Sequence, residues 1–407
     1  MPKILFVIDM DKGHVLPTIG FCRSLIKGGY EVVYVGIDDY RETITAYGFT
    51  YISIFEEFYP SGYVATQTGE KKHEKAQLHQ KKPHIAALLD GALDRIIEDV
   101  RPAMLIVSAF LSLEALLLRY RYMLFTAIFT PYIPDTAISD GCVSSVMRLS
   151  ASLAQRVLSF LSTQIDGPVR SLKDHFSESD TFPELIACAA ELAGDPGNPG
   201  GRRIYIGGSV REPNPEMIPE QISAVCEGRK IIYISLGSQT SWFPQKAAIC
   251  FDKVIEMANT RECKELFFII VTGSGYVDRV QRVHQNCLLL EWAPQIELLE
   301  KSAAAIVHGG LGSVKECIYC GVPMMLYPLL NDGPGNARRV ESNKLGIVMD
   351  FEKCSLSELV QGVRTLLYDT EIRTNMLRFK EIFHTYEVEN RSARAIDHLL
   401  TQEIQLV

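Results

Sequence analysis

Short apolar runs alternate with amphipathic segments along almost the whole chain. Residues 3–9 (KILFVID) predict a buried strand, and residues 17–29 predict an amphipathic helix that ends at glycines. The same alternation continues through strands at 103–109 and 123–130, with a helix near 112–121 between them. A repeated strand–helix–strand order indicates a parallel sheet covered by helices on both faces.

A second series of the same kind begins at residue 230. Its apolar runs and helical patterns lie at 230–238, 244–260, 266–273, 277–284, 287–291, 303–307, 323–328, 335–345, 355–369, 371–384 and 388–405. A Gly-, Pro- and Asp-rich stretch at 194–203 separates the two series and predicts a domain boundary. The pattern therefore predicts an α/β protein with two doubly wound, Rossmann-like domains that face each other across a cleft, with ligands at the carboxyl ends of the strands.

Two segments interrupt this alternation. Residues 60–83 are polar and rich in lysine, which predicts a surface loop that could cover a substrate. Residues 140–165 predict a longer amphipathic helix, either as part of the core or cleft wall or, less favoured, as a contact with a membrane surface. The stretch HEKAQLH (73–79) lacks the H-E-x-x-H spacing of a zinc site.

Composition excludes several classes of function. The chain has 407 residues, a length that predicts two domains of about 200 residues each. Its net charge is −8, which argues against nucleic acid as a partner. No apolar run approaches the roughly 18 residues of a transmembrane helix, and the N-terminal residues do not resemble a signal peptide, so we expect a cytoplasmic protein. Cys317 and Cys320 have no second pair to complete a zinc site and are interpreted as core thiols, so no metal site is expected.

The stretch HGGLGSVKE (308–316) joins a predicted strand to a predicted helix. Its three glycines leave room for a ligand close to the backbone, and the helix behind them presents its N-terminal amides to an anion. His308 and Ser313 add donors suited to a diphosphate, and Glu316 can accept hydrogen bonds from ribose hydroxyls. The alternative is a glycine-rich turn whose glutamate only complements the helix dipole.

Further polar and aromatic residues follow neighbouring strands of the same predicted sheet. Trp292 is one of two tryptophans and could stack on a nucleobase, and Gln295 lies three residues beyond it. Ser238 and Asp332 follow two other predicted strands. Together these residues favour a nucleotide site over a simple turn.

Four ordered motifs carry a resemblance to a known family. WAPQ (292–295), HGGLGSVKE (308–316), GVP (321–323) and PLLNDGPGNA (328–337) resemble the donor-binding signature of the UDP-glycosyltransferase superfamily, which has the GT-B fold. The motifs cover about 45 residues, and the layout of the whole chain agrees with a bacterial natural-product member of this superfamily.

The resemblance implies a role for each matching position. Trp292 would stack on the base, Ala293 would bind its edge through the backbone, Gln295 and Glu316 would hold the ribose, and Ser238, His308 and Ser313 would hold the diphosphate. Asp332 would face the sugar. The complete donor-binding set is Gly13, Gly237, Ser238, Trp292, Ala293, Gln295, His308, Gly310, Gly312, Ser313, Glu316, Asp332 and Gly333. The superfamily needs no metal or resident cofactor, since the nucleotide-diphosphate sugar is a substrate.

The opening DKGHVLP resembles the superfamily's GH-x-x-P motif, which implies that His14 is the catalytic base. A position just before a helix would keep its imidazole neutral and ready to accept a proton. The superfamily's aspartate that holds this histidine is replaced by Ser108, which can orient the ring but cannot offset its charge. His14 is then a weaker base unless Asp9, Asp11 or Glu114 approaches it, or unless the acceptor hydroxyl is itself acidic.

The sugar side of the motif also departs from the superfamily. Glucosyl-transferring members usually have glutamine after the acidic residue, and here Gly333 follows Asp332. The missing amide predicts room for a bulkier substituent or a deoxysugar, so a deoxysugar or N-acetylated donor is expected more than glucose. Gly312 stands where plant members often have asparagine. Because bacterial members vary at this position, the difference does not discriminate between donors.

These observations predict an inverting, metal-independent glycosyltransferase. It would move a sugar from a UDP- or dTDP-sugar to a small, apolar natural product or lipid. The acceptor cleft would lie in the N-terminal domain, with residues 55–85 and 140–165 as its walls. The expected domains are 1–205 for the acceptor, 206–385 for the donor, and a last helix at 386–407 that crosses back to the first domain. Two alternatives remain: a non-catalytic nucleotide-sugar-binding homologue or partner subunit, and a nucleotide-sugar epimerase. A monomer or homodimer is expected.

Overall fold

The computed structural model describes most of the chain. The described residues are 1–67, 82–134, 149–164, 182–195, 202–237, 240, 243–279, 285–329 and 332–404. Ser238, the HEKAQLH stretch and the first part of the predicted 140–165 helix therefore lie outside the described residues. The chain divides into two compact units, and each is considered by itself.

The first unit contains a parallel sheet of seven strands within the described residues, in the order β3-β2-β1-β4-β5-β6-β7. The strands are β1 (Lys3–Val7), β2 (Glu31–Gly36), β3 (Thr50–Ser53), β4 (Met104–Ser108), β5 (Thr126–Thr130), β6 (Glu184–Ile186) and β7 (Arg203–Tyr205). The helices of this part of the chain are α1 (Lys12–Lys27), α2 (Arg41–Ala46), α3 (His84–Leu89), α4 (Asp94–Val100), α5 (Ser112–Tyr122) and α6 (Ala151–Gln164). Hydrophobic clusters cover both faces of the sheet, which explains why its central strands read as continuous apolar runs.

The second unit contains a parallel sheet with the order β10-β9-β8-β11-β12-β13 among the described residues. The strands are β8 (Lys230–Ser235), β9 (Leu266–Val271), β10 (Cys287–Leu290), β11 (Ser302–Val307), β12 (Met324–Leu326) and β13 (Gly346–Val348). Its helices, after the short α7 (Ala190–Ala193), are α8 (Glu220–Cys226), α9 (Pro244–Ala258), α10 (Gln295–Glu300), α11 (Leu311–Cys320), α12 (Gly333–Ser342), α13 (Leu356–Tyr368) and α14 (Thr370–Val388).

The two sheets confirm the predicted α/β class with two doubly wound domains. In each sheet the strand order reverses once, between β1 and β4 in the first unit and between β8 and β11 in the second. Open α/β sheets bind ligands beside such a reversal, because the loops that leave the two strands diverge there and leave a crevice. The loops after these four strands are therefore where a functional site is expected.

Helix α1 begins earlier than the sequence pattern predicts. It starts at Lys12, because the side chain of Asp11 accepts a hydrogen bond from the amide of Gly13 and caps the helix. Pro17, taken as the start in the sequence pattern, lies inside the helix. His14 is consequently the third residue of α1 and does not precede the helix.

The last helix, α15 (Arg391–Ile404), belongs to the first unit. It packs on α1 closely enough that a Cβ at Gly28 would lie 2.3 Å from the Cβ of Ala393, and Asn390 donates a hydrogen bond to the carbonyl of Ser24. The two units are formed by Met1–Cys188, Pro196–Ser209 and Glu389–Val407, and by Ala189–Asp195 and Val210–Val388. In the described part of the chain, no helix has both the length and the apolar character required to cross a bilayer.

Candidate active site

His14 lies at the reversal point of the first sheet. The short loop after β1 leads through Asp9 and Asp11 into α1, and His14 faces this loop from the first turn of the helix. About a quarter of the His14 side chain is exposed (24%), which leaves the imidazole accessible to a substrate.

The carboxylate of Asp9 holds one edge of the His14 ring. Nδ1 of His14 lies 3.2 Å from Oδ1 and 3.1 Å from Oδ2 of Asp9. Asp9 is only 6% exposed, and its Oδ1 also accepts a hydrogen bond from the amide of Asp11. A neutral ring that donates from Nδ1 to Asp9 carries its lone pair on Nε2, where it can take a proton. The carboxylate also favours the imidazolium that such a transfer produces.

The predicted role of Ser108 in orienting His14 is wrong. The hydroxyl of Ser108, which is 2% exposed, instead accepts a hydrogen bond from the amide of Asp9 at 3.4 Å. Strand β4 pairs directly with β1, so a short side chain at the end of β4 reaches the first residues that leave β1. Ser108 therefore supports the loop that carries Asp9, and Asp9 supplies the carboxylate.

The other acidic candidates have different partners. Asp11 caps α1, as described above. Glu114 is buried, where Nζ of Lys82 lies 3.1 Å and Nε2 of His84 lies 2.9 Å from its Oε1. Burial raises the pKa of Glu114, but the Lys82 ammonium and His84 outweigh this effect and bring it to about 2. The hydroxyl of Tyr59 lies 2.6 Å from Nδ1 of the same histidine. This group is a buried ionic anchor of the first unit.

Sequence reasoning missed Phe110. Its ring lies parallel to the imidazole of His14, with 4.2 Å between centroids and 3° between planes. Phe110 is 47% exposed, and it also contacts the ring of Tyr132 at 5.4 Å. The only signal in the sequence is a phenylalanine two residues after the buried strand β4.

In the second unit, the HGGLGS stretch forms the loop from β11 into α11. Gly310 is the N-cap of the ten-residue helix α11, and Gly309 has a positive φ of 85° that favours glycine. The ring of His308 lies between two glycines, since a Cβ at Gly237 or Gly310 would fall 2.4 Å or 2.5 Å from its atoms. Burial lowers the pKa of His308, partly opposed by Asp332, which favours the neutral ring, and a neutral imidazole keeps one N–H that can donate to a ligand.

The structure brings together three of the predicted donor-binding side chains. Nε2 of Gln295 donates to Oγ of Ser313 at 3.2 Å and also to a carboxylate oxygen of Glu316. Tyr233, on β8, donates to Oε1 of Gln295 at 3.2 Å, so the amide is held from both ends. Tyr233 was missed by sequence analysis, because it reads as an ordinary core residue of the strand.

Burial raises the pKa of Glu316, and the hydrogen bond from Gln295 partly counteracts it. Close to this group, Arg211 forms a bidentate ion pair with Glu297, with 2.5 Å from Nη1 to Oε1 and 2.7 Å from Nη2 to Oε2. The Arg211 charge also favours the ionised form of Glu316. Glu316 is thus a carboxylate that gains from hydrogen-bond donors such as ribose hydroxyls.

Asp332 is turned towards the start of α11. Its Oδ2 accepts hydrogen bonds from the amide of Leu311 at 3.2 Å and from Nδ2 of Asn336 at 2.8 Å. Asn336 also donates to the carbonyl of Gly309 at 2.9 Å and thereby joins α12 to the glycine loop. One carboxylate oxygen of Asp332 is therefore engaged at the glycine loop, and Asn336 is a positioning residue that sequence analysis missed.

Gly333 has a packing role that its sequence context did not reveal. A Cβ at this position would lie 3.3 Å from the carbonyl oxygen of His308, and a Cβ at Gly309 would lie 3.3 Å from the carbonyl oxygen of Gly333. The glycine therefore allows the start of α12 to approach the glycine loop. The additional room that Gly333 would leave for the donor sugar stays a prediction.

The remaining predicted donor residues differ in exposure. Trp292 is 63% exposed and Ala293 is 6% exposed, while a Cβ at Gly312 would meet nothing within 4 Å. Gly13 lies in the first unit, where its amide donates to Asp11 at 2.7 Å. The environment of Ser238 lies outside the described residues.

Across the described ranges, no group of three His, Cys, Asp or Glu side chains is placed to hold a metal ion. Cys317 is fully buried and Cys320 is half-buried, and burial raises the pKa of both thiols. These two residues are thiols of the protein interior, as their sequence context predicted.

The second unit matches a known family. Residues 204–395, a little under half of the chain, match the family model of UDP-glucoronosyl and UDP-glucosyl transferase. Rabbit (Oryctolagus cuniculus) UDP-glucuronosyltransferase 1A4 is 29% identical over 192 residues, which cover 46% of this chain and 34% of that protein. The chain thus spans about a third of the length of this relative. Human UDP-glucuronosyltransferase 1A1 is 23% identical over 439 residues, covering 95% of this chain and 80% of that protein.

Solved structures agree with the fold. The glycotransferase of kitacinnamycin superimposes with a TM-score of 0.76 at 18% identity, covering 98% of this chain and 100% of that one. CalG4, the calicheamicin glycosyltransferase, gives a TM-score of 0.71 at 19% identity with 99% of both chains covered. The spinosyn rhamnosyltransferase SpnG, complexed with thymidine diphosphate, gives 0.63 at 16% identity, covering 96% of this chain and 100% of that one.

The matched domain includes every motif at the α11 N-terminus, and the two doubly wound sheets are those of the GT-B fold. Residues 204–395 thus match the UDP-glucoronosyl and UDP-glucosyl transferase family, in a chain that has the GT-B fold.

Proposed function

We propose that the protein is an inverting glycosyltransferase that moves a sugar from a nucleotide-diphosphate donor to a small, apolar acceptor without a metal ion. The observation that carries this proposal is the contact between Asp9 and His14, 3.1 Å apart. A non-catalytic nucleotide-sugar-binding homologue would have no need of a buried carboxylate aimed at a partly exposed imidazole. That alternative was motivated by the serine at position 108, where the resemblance implies an aspartate. Asp9 offers the carboxylate that position 108 lacks.

His14 is the general base of the proposed reaction. With Nδ1 donating to Asp9, Nε2 accepts the proton of the acceptor hydroxyl. The acceptor oxygen forms a bond to the anomeric carbon, the bond from that carbon to the phosphate oxygen breaks, and the nucleotide diphosphate leaves with the electron pair. Attack opposite the leaving group inverts the anomeric centre. The proton remains on His14 until it is released to water.

The second unit supplies the groups that would bind the donor. The α11 N-terminus and the neutral His308 stabilise negative charge on the diphosphate, as helix N-termini commonly do. This charge stabilisation supports a reaction that needs no metal ion. Glu316 and Gln295 are placed as a pair to bind the ribose, and exposed Trp292 offers a ring for stacking on the base.

The comparisons support two nucleotide classes. The matched family and the curated relatives use UDP in their names, whereas SpnG is described in complex with thymidine diphosphate. We therefore propose a UDP- or dTDP-sugar as donor, with a deoxysugar or N-acetylated sugar preferred over glucose. A natural product or a lipid remains the proposed acceptor.

Binding and turnover of labelled donors test the proposal. Calorimetric titration with UDP, dTDP, GDP and ADP should show binding of UDP or dTDP, and thermal unfolding should shift upwards with the same ligand. Donors with labelled glucose, glucuronic acid, N-acetylglucosamine and rhamnose should then transfer to a panel of phenols and lipid alcohols, with inversion visible by NMR and with EDTA present throughout.

The His14→Gln variant is the matched control, since it should bind the nucleotide as the parent chain does and lose transfer. Nucleotide binding without transfer or hydrolysis for any donor would support the non-catalytic homologue. Absence of binding to both UDP and dTDP would overturn the donor assignment.

A further inference from the structure

Phe110 is an exposed aromatic residue between two neighbours that are buried or packed against the core of the first unit. Its neighbour Ala109 is buried and Leu111 packs against one of the hydrophobic clusters, but about half of the Phe110 side chain is exposed. Among the described residues, neither hydrophobic cluster of the first unit includes it. A single exposed phenylalanine is common on protein surfaces, so exposure alone does not indicate a function.

The contact with His14 is what distinguishes Phe110. The two rings are parallel within 3° and their centroids are 4.2 Å apart, so the phenyl ring covers one face of the imidazole. Asp9 meets the same imidazole at its Nδ1 edge. The two contacts restrict different rotations of the His14 side chain. The hydrogen bond to Asp9 fixes the direction of Nδ1, and the stacked phenyl ring fixes the plane of the imidazole. Nε2 is thereby aimed in one direction.

The phenyl ring also changes the energy of the charged form. The face of an aromatic ring carries partial negative charge and attracts a cation placed over it. When His14 takes a proton, the imidazolium lies over this face while Asp9 stays at its edge. Phe110 and Asp9 therefore act on the same charge from two directions.

We propose that Phe110 is a positioning residue for His14, which fixes the plane of the imidazole and stabilises the imidazolium formed when the acceptor loses its proton. This inference rests on the proposed role of His14 as the base. Because the lone pair of Nε2 lies in the ring plane, a fixed plane also fixes the direction from which the acceptor hydroxyl approaches.

Other titratable groups near this loop stay constant among the variants used below. Among the described residues they are Asp9, Asp11 and Tyr40, together with Tyr132, whose ring contacts Phe110 itself. Tyr40 donates from its hydroxyl to the carbonyl of Met10, and burial raises its pKa so that it stays neutral. Differences between variants at position 110 thus report the phenyl ring.

Titration of His14 by NMR, in the full chain without substrates, tests the inference. The protein is labelled at histidine, and the His14 signal is assigned by its loss in His14→Gln. Phe110→Leu retains an apolar side chain but removes the aromatic face, and we expect the measured pKa of His14 to fall by about half a unit. Phe110→Tyr retains the face and should restore the value of the parent protein. The resonances of His384, in the second unit, should not change.

The kinetic readout uses the same variants. Phe110→Leu should lower kcat at neutral pH by about threefold and leave the KM of the acceptor unchanged. An unchanged His14 titration in Phe110→Leu would overturn the inference. So would a raised acceptor KM with unchanged kcat, because Phe110 would then only form a wall for the acceptor.

The two proposals fail in different ways. The titration needs neither donor nor acceptor, so a chain that transfers no sugar but shows the His14 shift contradicts only the proposed function. A chain that transfers sugar with an unshifted His14 contradicts only the role of Phe110. Thermal unfolding of Phe110→Leu close to that of the parent chain excludes a general loss of structure.

Discussion

The carboxylate of Asp9, at the end of β1, lies 3.1 Å from Nδ1 of His14, in the first turn of α1. The position on β4 where the superfamily has its aspartate is Ser108, and Ser108 accepts a hydrogen bond from the backbone of Asp9. The acidic partner of the proposed base therefore follows β1, whereas the resemblance to the superfamily implied a partner at the end of β4.

Exchange of Asp9 for asparagine tests this pairing. Asp9→Asn should lower kcat/KM by about 100-fold or more, since an amide can donate to Nδ1 and favour the wrong tautomer of His14. Ser108→Ala removes one weak hydrogen bond to the Asp9 amide and should lower kcat/KM only about threefold. Steady-state kinetics with the preferred donor measures both, and a larger loss in Ser108→Ala than in Asp9→Asn would contradict the assignment.

The pH dependence of nucleotide binding tests Glu316. Burial raises the pKa of Glu316, so the folded apo protein holds its proton to higher pH than an exposed glutamate does. The ionised form accepts hydrogen bonds from both ribose hydroxyls, and the affinity for the nucleotide should therefore rise as pH increases through this raised pKa.

The control for this experiment is Glu316→Gln, which cannot ionise. It should bind more weakly at pH 7 and show only the pH dependence of the nucleotide phosphate and His308. Calorimetry of both proteins between pH 5 and 8 gives the difference, and parallel curves would exclude a ribose contact through the ionised carboxylate. The same raised pKa predicts that Glu316 contributes less to stability as pH rises, because the folded state binds its proton more tightly.

Three glycines around the proposed diphosphate site should respond differently to alanine. A Cβ at Gly237 or Gly310 would collide with the His308 ring, at 2.4 Å and 2.5 Å, and Gly237 also has a φ of +81°. Each of these variants should lose about 1–3 kcal/mol of stability and bind the nucleotide diphosphate more weakly.

Gly312→Ala is the matched variant, since a Cβ there meets nothing within 4 Å and lies in the first turn of α11. It should unfold at the same or a slightly higher temperature, because alanine favours the helix. If the diphosphate approaches α11 as proposed, the same variant should nevertheless bind the nucleotide more weakly. Thermal unfolding and calorimetry separate these outcomes, and unchanged binding would place the diphosphate away from Gly312.

The buried pair of Glu114 with Lys82 and His84 predicts a feature of acid unfolding. The pKa of Glu114 is about 2 in the folded protein, compared with an ordinary value of 4.5. Its contribution to stability is therefore complete above about pH 4.5 and is lost as pH falls towards 2. Glu114→Gln should be destabilised by about 3 kcal/mol at pH 7 and should show a flatter stability curve in this acid range.

Glu389→Gln is a suitable control for this prediction. Glu389 lies 2.7 Å from Arg391 in an exposed ion pair, where solvent screens the interaction. Urea unfolding between pH 3 and 7 should give the parent curve for this variant. A Glu114→Gln curve that runs parallel to the parent curve would show that the buried carboxylate is not held at low pKa.

Much of the fold could be predicted from the alternation of apolar and polar residues. The central strands of both sheets, such as Lys3–Val7 and Lys230–Ser235, are buried on both faces and therefore appear as continuous apolar runs. The short strands β6, β7 and β13, at or next to an edge of their sheets, are not predicted, because three residues carry too little periodicity to be recognised. The sequence pattern misplaces the start of α1, because Pro17 is typical of a helix start, whereas Asp11 is the cap in the structure.

The donor motif could also be located from the sequence. Glycines after an apolar run, with His308, Ser313 and Glu316 at fixed spacing, place a helix N-terminus and its side chains at the end of a strand. Sequence also determined that His14 lies near the end of the first strand. Local spacing is sufficient for these statements, because all the residues concerned belong to one strand–loop–helix segment.

Only the tertiary structure decided which side chains meet across segments. The choice of Asp9 over Ser108 depends on the path of the loop after β1 beside β4, and the stacking of Phe110 on His14 depends on the same pair of strands. Gly333, which the motif alone linked to the sugar, packs against the carbonyl of His308. Such contacts follow from strand pairing and from side-chain rotamers, which no periodic pattern records, whereas the strands and the donor motif follow from burial and spacing along the chain itself.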